Sequence, residues 1–275
     1  MSMSIRTNVA SLNAQRNIFQ TQASLESSLS KLSSGYRITK AGDDAAGLGI
    51  SVNLEAQIRS YNQAARNAQD GVSVVQTGEG ALNEVTNILT RMRELAMESA
   101  SDGIGNTERG YIQKETTALT DEIERIANAT EFNGTKLLNS AAVLTFQVGI
   151  RNVAANDRID VTTVDVRTTT LGVAGLSLST AANAQAGLDT IDNALKTVSS
   201  ARALYGAQGN RLTNVVNQIQ VASENISAAN SRIRDVDVAE ESSKLTRAQI
   251  LMQAGVSVLA QANQAPQVAL KLISG

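Results

Sequence analysis

The side chains able to do chemistry in this chain are carboxylates, hydroxyls and basic groups, because its 275 residues include neither histidine nor cysteine. Without imidazole, the commonest general base and the commonest transition-metal ligand are missing. Without thiols there can be no disulfide, thiolate metal site or cysteine nucleophile. Two acidic groupings remain. Asp43-Asp44, between Gly42 and Gly47, has the composition of an acid/base or metal pair. Adjacent helix residues point to different faces and no third ligand is near, so the pair reads as a cap for the next helix. Asp235, Asp237, Glu240 and Glu241 have the charge for calcium. They lack the glycine and spacing of a calcium loop and read as a solvated joint. The triplets starting at Asn128, Asn133 and Asn225 match the N-glycosylation pattern, which chance explains better. No catalytic residue, metal site or cofactor is expected, and the chain reads as a non-enzyme.

These residues sit on a framework of long helices. Ile191, Val198, Tyr205, Leu212, Ile219, Ile226 and Ile233 recur every seventh position. Ala194, Ala201, Gln208, Val215, Ala222, Ala229 and Val236 follow each by three, completing an a/d stripe with one polar lapse. The pattern specifies one helix of about 46 residues, about 69 Å long. Its alanines, Ala222 and Ala229 among them, predict close approach of a neighbouring helix. A helix this long cannot bury its stripe against itself, so the rest of the chain or other copies must cover it.

Four blocks precede or contain this helix. From about residue 4 to 36, Ile5, Val9, Leu12 and Phe19 form one stripe; after a phase slip, Leu25, Leu29, Leu32 and Tyr36 follow at helical spacing. From about 44 to 130 the pattern is a helical hairpin with a phase slip near Gly78 and a turn at 101–106. Asn133-Gly134 marks a turn, and Leu144, Phe146, Val148 and Ile150 alternate with polar or small residues as a strand does. Ile159, Val161, Thr163, Val164 and Val166 supply a partner strand, and 168–179 reads as irregular. Beyond the acidic joint, a terminal helix resumes with Leu245, Ala248, Met252, Gly255, Leu259 and Ala262.

Composition excludes several classes of partner. Aromatics are 3% and tryptophan is absent, which disfavours a broad aromatic core and suits alanine-rich helix seams. A net charge of −2 with balanced signs leaves no footprint for nucleic acid. The uncharged stretch from 248 to 270 is long enough for a bilayer, but its glutamines, asparagine and proline argue against membrane insertion. The N-terminal twenty residues lack the apolar run of a secretory signal. Both terminal segments are amphipathic yet almost uncharged, whereas an exposed helix carries charge on its outer face. Cover from other molecules, and so a repetitive assembly, is expected.

Several motifs carry a resemblance. Thr7-Asn8-Val9-Ala10-Ser11-Leu12-Asn13-Ala14-Gln15, Leu32-Ser33-Ser34-Gly35-Tyr36-Arg37-Ile38 and Asp43-Asp44-Ala45-Ala46-Gly47-Leu48 lie in the first fifth of the chain. Arg93-Glu94-Leu95-Ala96 and Thr130-Glu131-Phe132-Asn133-Gly134-Thr135-Lys136-Leu137-Leu138 follow. Ser231-Arg232-Ile233-Arg234-Asp235, Arg247-Ala248-Gln249-Ile250-Leu251 and Ser257-Val258-Leu259-Ala260-Gln261-Ala262-Asn263 complete the set. In order and extent the chain resembles bacterial flagellins, in a short form without large outer domains.

The fold expected is mainly α: long antiparallel coiled-coil-like rods, a small β-hairpin region, and terminal helices forming an inner tube on assembly. The resemblance divides the chain into an N-terminal core helix (1–42), the first part of an outer helical domain (43–142) and a short variable segment (143–178). The long C-terminal helix of the outer domain (179–236) and a C-terminal core helix (237–275) complete it. It implies a polymerisation core including Leu12, Phe19, Leu29, Leu251 and Leu259, with the terminal segments disordered until assembly. It also implies export through the flagellar type III apparatus without a cleaved signal, to an extracellular filament. The partners implied are further copies of the chain, an export chaperone, the filament cap and hook–filament junction proteins. Contacts to a vertebrate toll-like receptor are implied for Arg91, Leu95 and Glu115. A hook–filament junction protein, or another secreted helical structural protein, is the alternative.

Overall fold

The computed structural model describes the backbone of residues 7–274 and side chains through Gln264; Ile5 lies outside the described residues. The elements run α1 (Val9–Ser34), α2 (Ala45–Ser99), α3 (Asn106–Ala129), β1 (Glu131–Phe132), β2 (Thr135–Lys136), β3 (Val143–Gln147), α4 (Ala154–Asp157), β4 (Arg158–Thr162), α5 (Thr168–Leu171), α6 (Ala181–Arg234) and α7 (Val238–Ser274). They fall into two compact units, with boundaries inside α2 and α6. One is residues 57–224; the other joins the described residues up to Ala56 with those from Asn225 on.

In the 57–224 unit, α2 and α6 run antiparallel. Gly71 faces Leu212, Gly78 faces Tyr205, and Arg93 Nε reaches Asp192 Oδ1 at 2.7 Å. The heptad positions Ile191, Val198, Tyr205, Leu212 and Ile219 are buried, together with Ala194 and Ala201. From Ala222 onward the stripe is only half-buried: Ala222, Ile226, Ala229 and Ile233 all keep part of their surface in solvent. The phase slip near Gly78 has a physical reason. A Cβ there would lie 3.1 Å from the Tyr205 ring, a tight contact, so glycine lets the ring lie close against α2. Tyr205 Oη donates to the Leu137 carbonyl at 3.0 Å, and burial pushes its pKa up to about 12.

α3 returns along α2 after a turn stapled by the buried Arg109. Its guanidinium donates to the carbonyls of Ser99 and Ser101, both at 2.9 Å, replacing partners that the end of α2 leaves without donors. Asn133 (φ 48°) and Gly134 (φ 78°) form the two-residue turn between β1 and β2, with both central residues in the left-handed region. β3 and β4 pair antiparallel, with Leu144 opposite Val161 and Phe146 opposite Ile159.

Two sequence expectations need refinement here. Within 168–179 the backbone is irregular from Gly172 on, as expected, but the segment is not loose. α5 forms there, Leu171, Val173 and Leu178 are buried in the core, and Gln113 of α3 binds the backbone of Leu176 and Leu178 as a strand would. The many hydroxyls hid this, because a segment that enters the core at only three apolar positions shows no periodicity. The acidic joint is also shorter than expected. α7 begins at Val238, and Asp237 Oδ1 accepts the N–H groups of Ala239 (2.9 Å) and Glu240 (3.1 Å) as its cap. Glu240 and Glu241 thus belong to the first turn, where carboxylates favour the helix dipole.

Candidate assembly surfaces

α1 packs antiparallel against α7 from Glu241 to Asn263. On α1 the seam positions are Ser11, Ala14, Ile18, Thr21, Leu25, Ser28 and Leu32, in alternating three- and four-residue steps. On α7 they are Glu241, Leu245, Ala248, Met252, Gly255, Leu259 and Ala262, with the same alternation. The seam mixes small and polar residues with the half-buried Ile18, Leu25, Leu32, Leu245, Met252 and Leu259. Gly255 admits Ile18, whose Cγ1 would be 3.0 Å from a Cβ placed there.

Hydrogen bonds stitch the seam at both ends. Ser11 Oγ donates to Asn263 Oδ1 at 2.8 Å, and Asn8 Nδ2 donates to the Ala262 carbonyl at 2.8 Å. That carbonyl sits four residues before Pro266, which has no N–H to offer it. Asn8 replaces the missing donor. At the other end Ser28 Oγ donates to Glu241 Oε1 at 2.6 Å, and both residues are buried. The Ser28 hydroxyl holds the Glu241 carboxyl below its usual range, against the opposing effect of burial. Glu241 is therefore no solvated joint residue, a further correction.

This pairing leaves large apolar side chains outside. Phe19 is 70% exposed, Ile250 62% and Leu251 53%, and Val9, Leu12, Leu29, Val256 and Val258 are exposed as well. Among the described residues of this unit only Ala14, Ile38 and Ala248 are buried hydrophobics. The phase slip within α1 is thereby explained: Val9, Leu12 and Phe19 belong to an outward stripe, while Leu25 and Leu32 belong to the seam. The predicted core residues also separate. Leu12, Phe19, Leu29 and Leu251 face outward, whereas Leu259 is half-buried on the seam.

The loops that enter α2 and α7 pair with each other. Val236 N donates to the Gly35 carbonyl at 3.0 Å, and Arg37 N donates to the Arg234 carbonyl at 2.6 Å. Gly35 leaves α1 at φ 74°. The Arg234 guanidinium lies 4.2 Å from the centre of the Tyr36 ring and pairs with Glu55 at 3.0 Å. The two neighbouring aspartates divide their work. Asp44 Oδ1 accepts from Gly47 N at 2.8 Å and caps α2, while Asp43 Oδ2 accepts backbone N–H groups of Thr39 and Lys40.

In the other unit, Arg91 Nε pairs with Glu115 Oε1 at 2.9 Å, both exposed, and Leu95 is buried in the core. Sequence patterns did not reveal the stitching side chains Asn8, Ser28 and Arg109. For Asn8 a signal exists: the spacing from Ala262 to the single proline. For Ser28 none does, because its carboxylate partner lies 213 positions along the chain, and for Arg109 none does, because its partners are backbone carbonyls that carry no residue-type signal.

Such a molecule, with a helical pair joined along a thinly buried seam and apolar on its outer faces, belongs to the class of structural subunits that complete their cores by association. Comparison with known proteins gives the family. Residues 5–142 match the bacterial flagellin N-terminal helical region, and residues 188–273 match the bacterial flagellin C-terminal helical region. A flagellin of Halalkalibacterium halodurans is 45% identical over 272 residues, covering 98% of this chain and all of that protein. A Bacillus subtilis flagellin is 40% identical over 306 residues, with 98% and 100% covered. The crystal structure of Bacillus cereus flagellin superposes with a TM-score of 0.51 at 32% identity, covering 60% of this chain and 94% of that one. The chain belongs to the bacterial flagellin family. It is a structural subunit of the flagellar filament and not an enzyme. Among the described residues, no helix is long and apolar enough to cross a membrane.

Proposed function

We propose that the two units divide the filament between them. The α1–α7 pair, with residues 1–42 and 237–275, builds the inner tube, and the helices and hairpin of 43–236 form the outer layer. The observation that supports this reading is the outward apolar stripe of Phe19, Ile250 and Leu251 on helices that lack charge there. Exposed apolar surface of this extent marks an interaction face. Repeated by helical symmetry, the contact is heterologous and does not close, so it grows. The work of the polymer is mechanical: long helices carry torque along the filament.

The same reading assigns export through the flagellar type III apparatus, with an export chaperone, the filament cap and hook–filament junction proteins as transient partners. For a vertebrate toll-like receptor it assigns Arg91 and Glu115 as the exposed contacts, with Leu95 supporting them from the core. Deleting residues 1–42 and 237–275 tests the division. The expected product is a soluble helical monomer that adds to no filament seed. Normal filaments from that truncation would contradict it.

A further inference from the structure

Among the described residues, four asparagines lie outside the helices: Asn8, Asn133, Asn139 and Asn152. Two of these side chains are committed. Asn8 caps α1 and donates to the Ala262 carbonyl, and Asn152 Oδ1 accepts from Arg158 at 2.8 Å. Asn139 pairs through its backbone with Asp165 and is followed by a serine. Asn133 is exposed at the tip of the β1–β2 hairpin, and its carboxamide makes no hydrogen bond among the described residues. It precedes Gly134, the one Asn-Gly pair in the chain.

The backbone nitrogen that follows it is free as well. Gly134 N donates to no group among the described residues, and open space, with no heavy atom within 4 Å, stands where a side chain would be. The aspartates that precede glycine are less well placed. Gly71 lies inside α2, where its N–H belongs to the helix, and Gly103 N faces Ser101 Oγ at 3.4 Å.

We propose that Asn133 is a site of spontaneous covalent modification, in which the backbone nitrogen of Gly134 displaces the side-chain amide of Asn133. Gly134 N gives up its proton and attacks Asn133 Cγ; the Cγ–Nδ2 bond breaks, and Nδ2 leaves with that proton as ammonia. The product is a cyclic imide. Water then adds to either carbonyl carbon of the ring and breaks the bond from that carbon to nitrogen. Opening at Cγ leaves aspartate at 133. Opening at the main-chain carbon leaves isoaspartate, with the backbone routed through Cβ. In sum a water is taken up, an ammonia is released and a negative charge is gained, with no oxidant and no enzyme.

The two products act differently on the fold. Aspartate tolerates the left-handed φ of 48° at this position and keeps the turn. Isoaspartate lengthens the backbone of a two-residue turn, so the pairing of Phe132 with Thr135 and Glu131 with Lys136 loses its register. The core begins at the next residue. Leu137 is buried, its N–H donates to the Thr130 carbonyl and its own carbonyl accepts from Tyr205 Oη. Isoaspartate at the tip therefore loosens the closed unit as the subunit ages. The hairpin is also the brake, because ring closure turns the main chain at Asn133 out of the closed turn. Two residue pairs and the Lys136–Glu131 ion pair resist that opening. None of this depends on the filament reading.

Incubation of the full-length chain, digestion in acid and mass spectrometry of the peptides test the site. Asn133 is expected to lose its amide before any other asparagine, and at least about tenfold faster at about pH 9 than at about pH 6, because the attacking nitrogen must be deprotonated. Lys136→Glu sets two carboxylates across the hairpin and should speed the loss. Should that variant unfold the unit, Lys136→Gln, which only removes the ion pair, takes its place with the same expected direction. The fraction that an isoaspartyl methyltransferase labels at 133 should melt below the parent, whereas Asn133→Asp should melt with it. Amide loss at Asn139 or Asn152 before Asn133, or equal rates at the two pH values, would overturn the site. A labelled fraction that melts with the parent would overturn the loosening of the core.

Discussion

Between residues 57 and 224 the large apolar side chains of the long helices turn inward. Leu82, Leu89, Tyr205 and Leu212 are fully buried, and an arginine and a tyrosine hydroxyl hold the turns. α1 and α7 are helices of similar regularity, yet their seam mixes serine, alanine, threonine and glycine with large residues that are only half-buried, among them Ile18, Leu25 and Met252, and Phe19, Ile250 and Leu251 face solvent. The difference is one of where the core is completed. The first unit closes its core within one chain, so it is stable alone. The second fully buries only Ala14, Ile38 and Ala248 among its described hydrophobics, and hydrogen bonds at the seam ends add to its half-buried seam. Its hydrophobic stabilisation waits for neighbours.

Four substitutions or conditions break or sharpen this contrast. The largest effect is expected from Leu212→Ala in the closed core, which should cost the soluble subunit about 2–5 kcal/mol by denaturant unfolding. A cost near zero would mean that this core, too, is completed by assembly. Next comes Gly78→Leu. With Tyr205 already at contact distance, the added side chain overpacks the α2–α6 seam, and a loss of about 1–3 kcal/mol is expected in the same measurement.

Acid should act on the closed unit through Asp165. The Arg167 guanidinium, 2.8 Å away, holds its carboxyl at about 2, below the unfolded value. A depressed pKa contributes stability that is full above about pH 4 and is lost as pH falls towards about 2. After solvent screening the contribution is about 1–2 kcal/mol. Asp165→Asn should remove that part of the pH dependence of unfolding. The smallest effect belongs to Arg91→Ala. Its ion pairs with Glu94 and Glu115 lie on the surface, and the melting temperature should stay close to that of the parent.

Much of the fold was legible because the a/d heptads from Ile191 to Ile219, the Asn133-Gly134 turn and the β3–β4 alternation each have a strong local period. The terminal pair was legible only in part. Hydropathy picks out the most apolar stripe of a helix, and in α1 that stripe of Val9, Leu12 and Phe19 is the outward one. On α7 the seam stripe Leu245, Ala248, Met252, Gly255, Leu259 and Ala262 is the one its spacing shows, but hydropathy does not separate Leu251, on the outward face, from Leu259 on the seam. Likewise, nothing local to Glu241 foretells the serine that buries it, 213 positions earlier.

The central claim, that the outward stripe of the terminal helices is an unfinished core, is tested most directly on Phe19→Asp. A carboxylate there costs the monomer nothing, because the site is in solvent. In a packed polymer the same charge would be taken out of water without a partner in every subunit. Melting of the soluble subunit and its growth on wild-type seeds should be measured together on this one variant. The account predicts an unchanged melt and no growth. A destabilised monomer, or filaments growing at the wild-type rate, would contradict it.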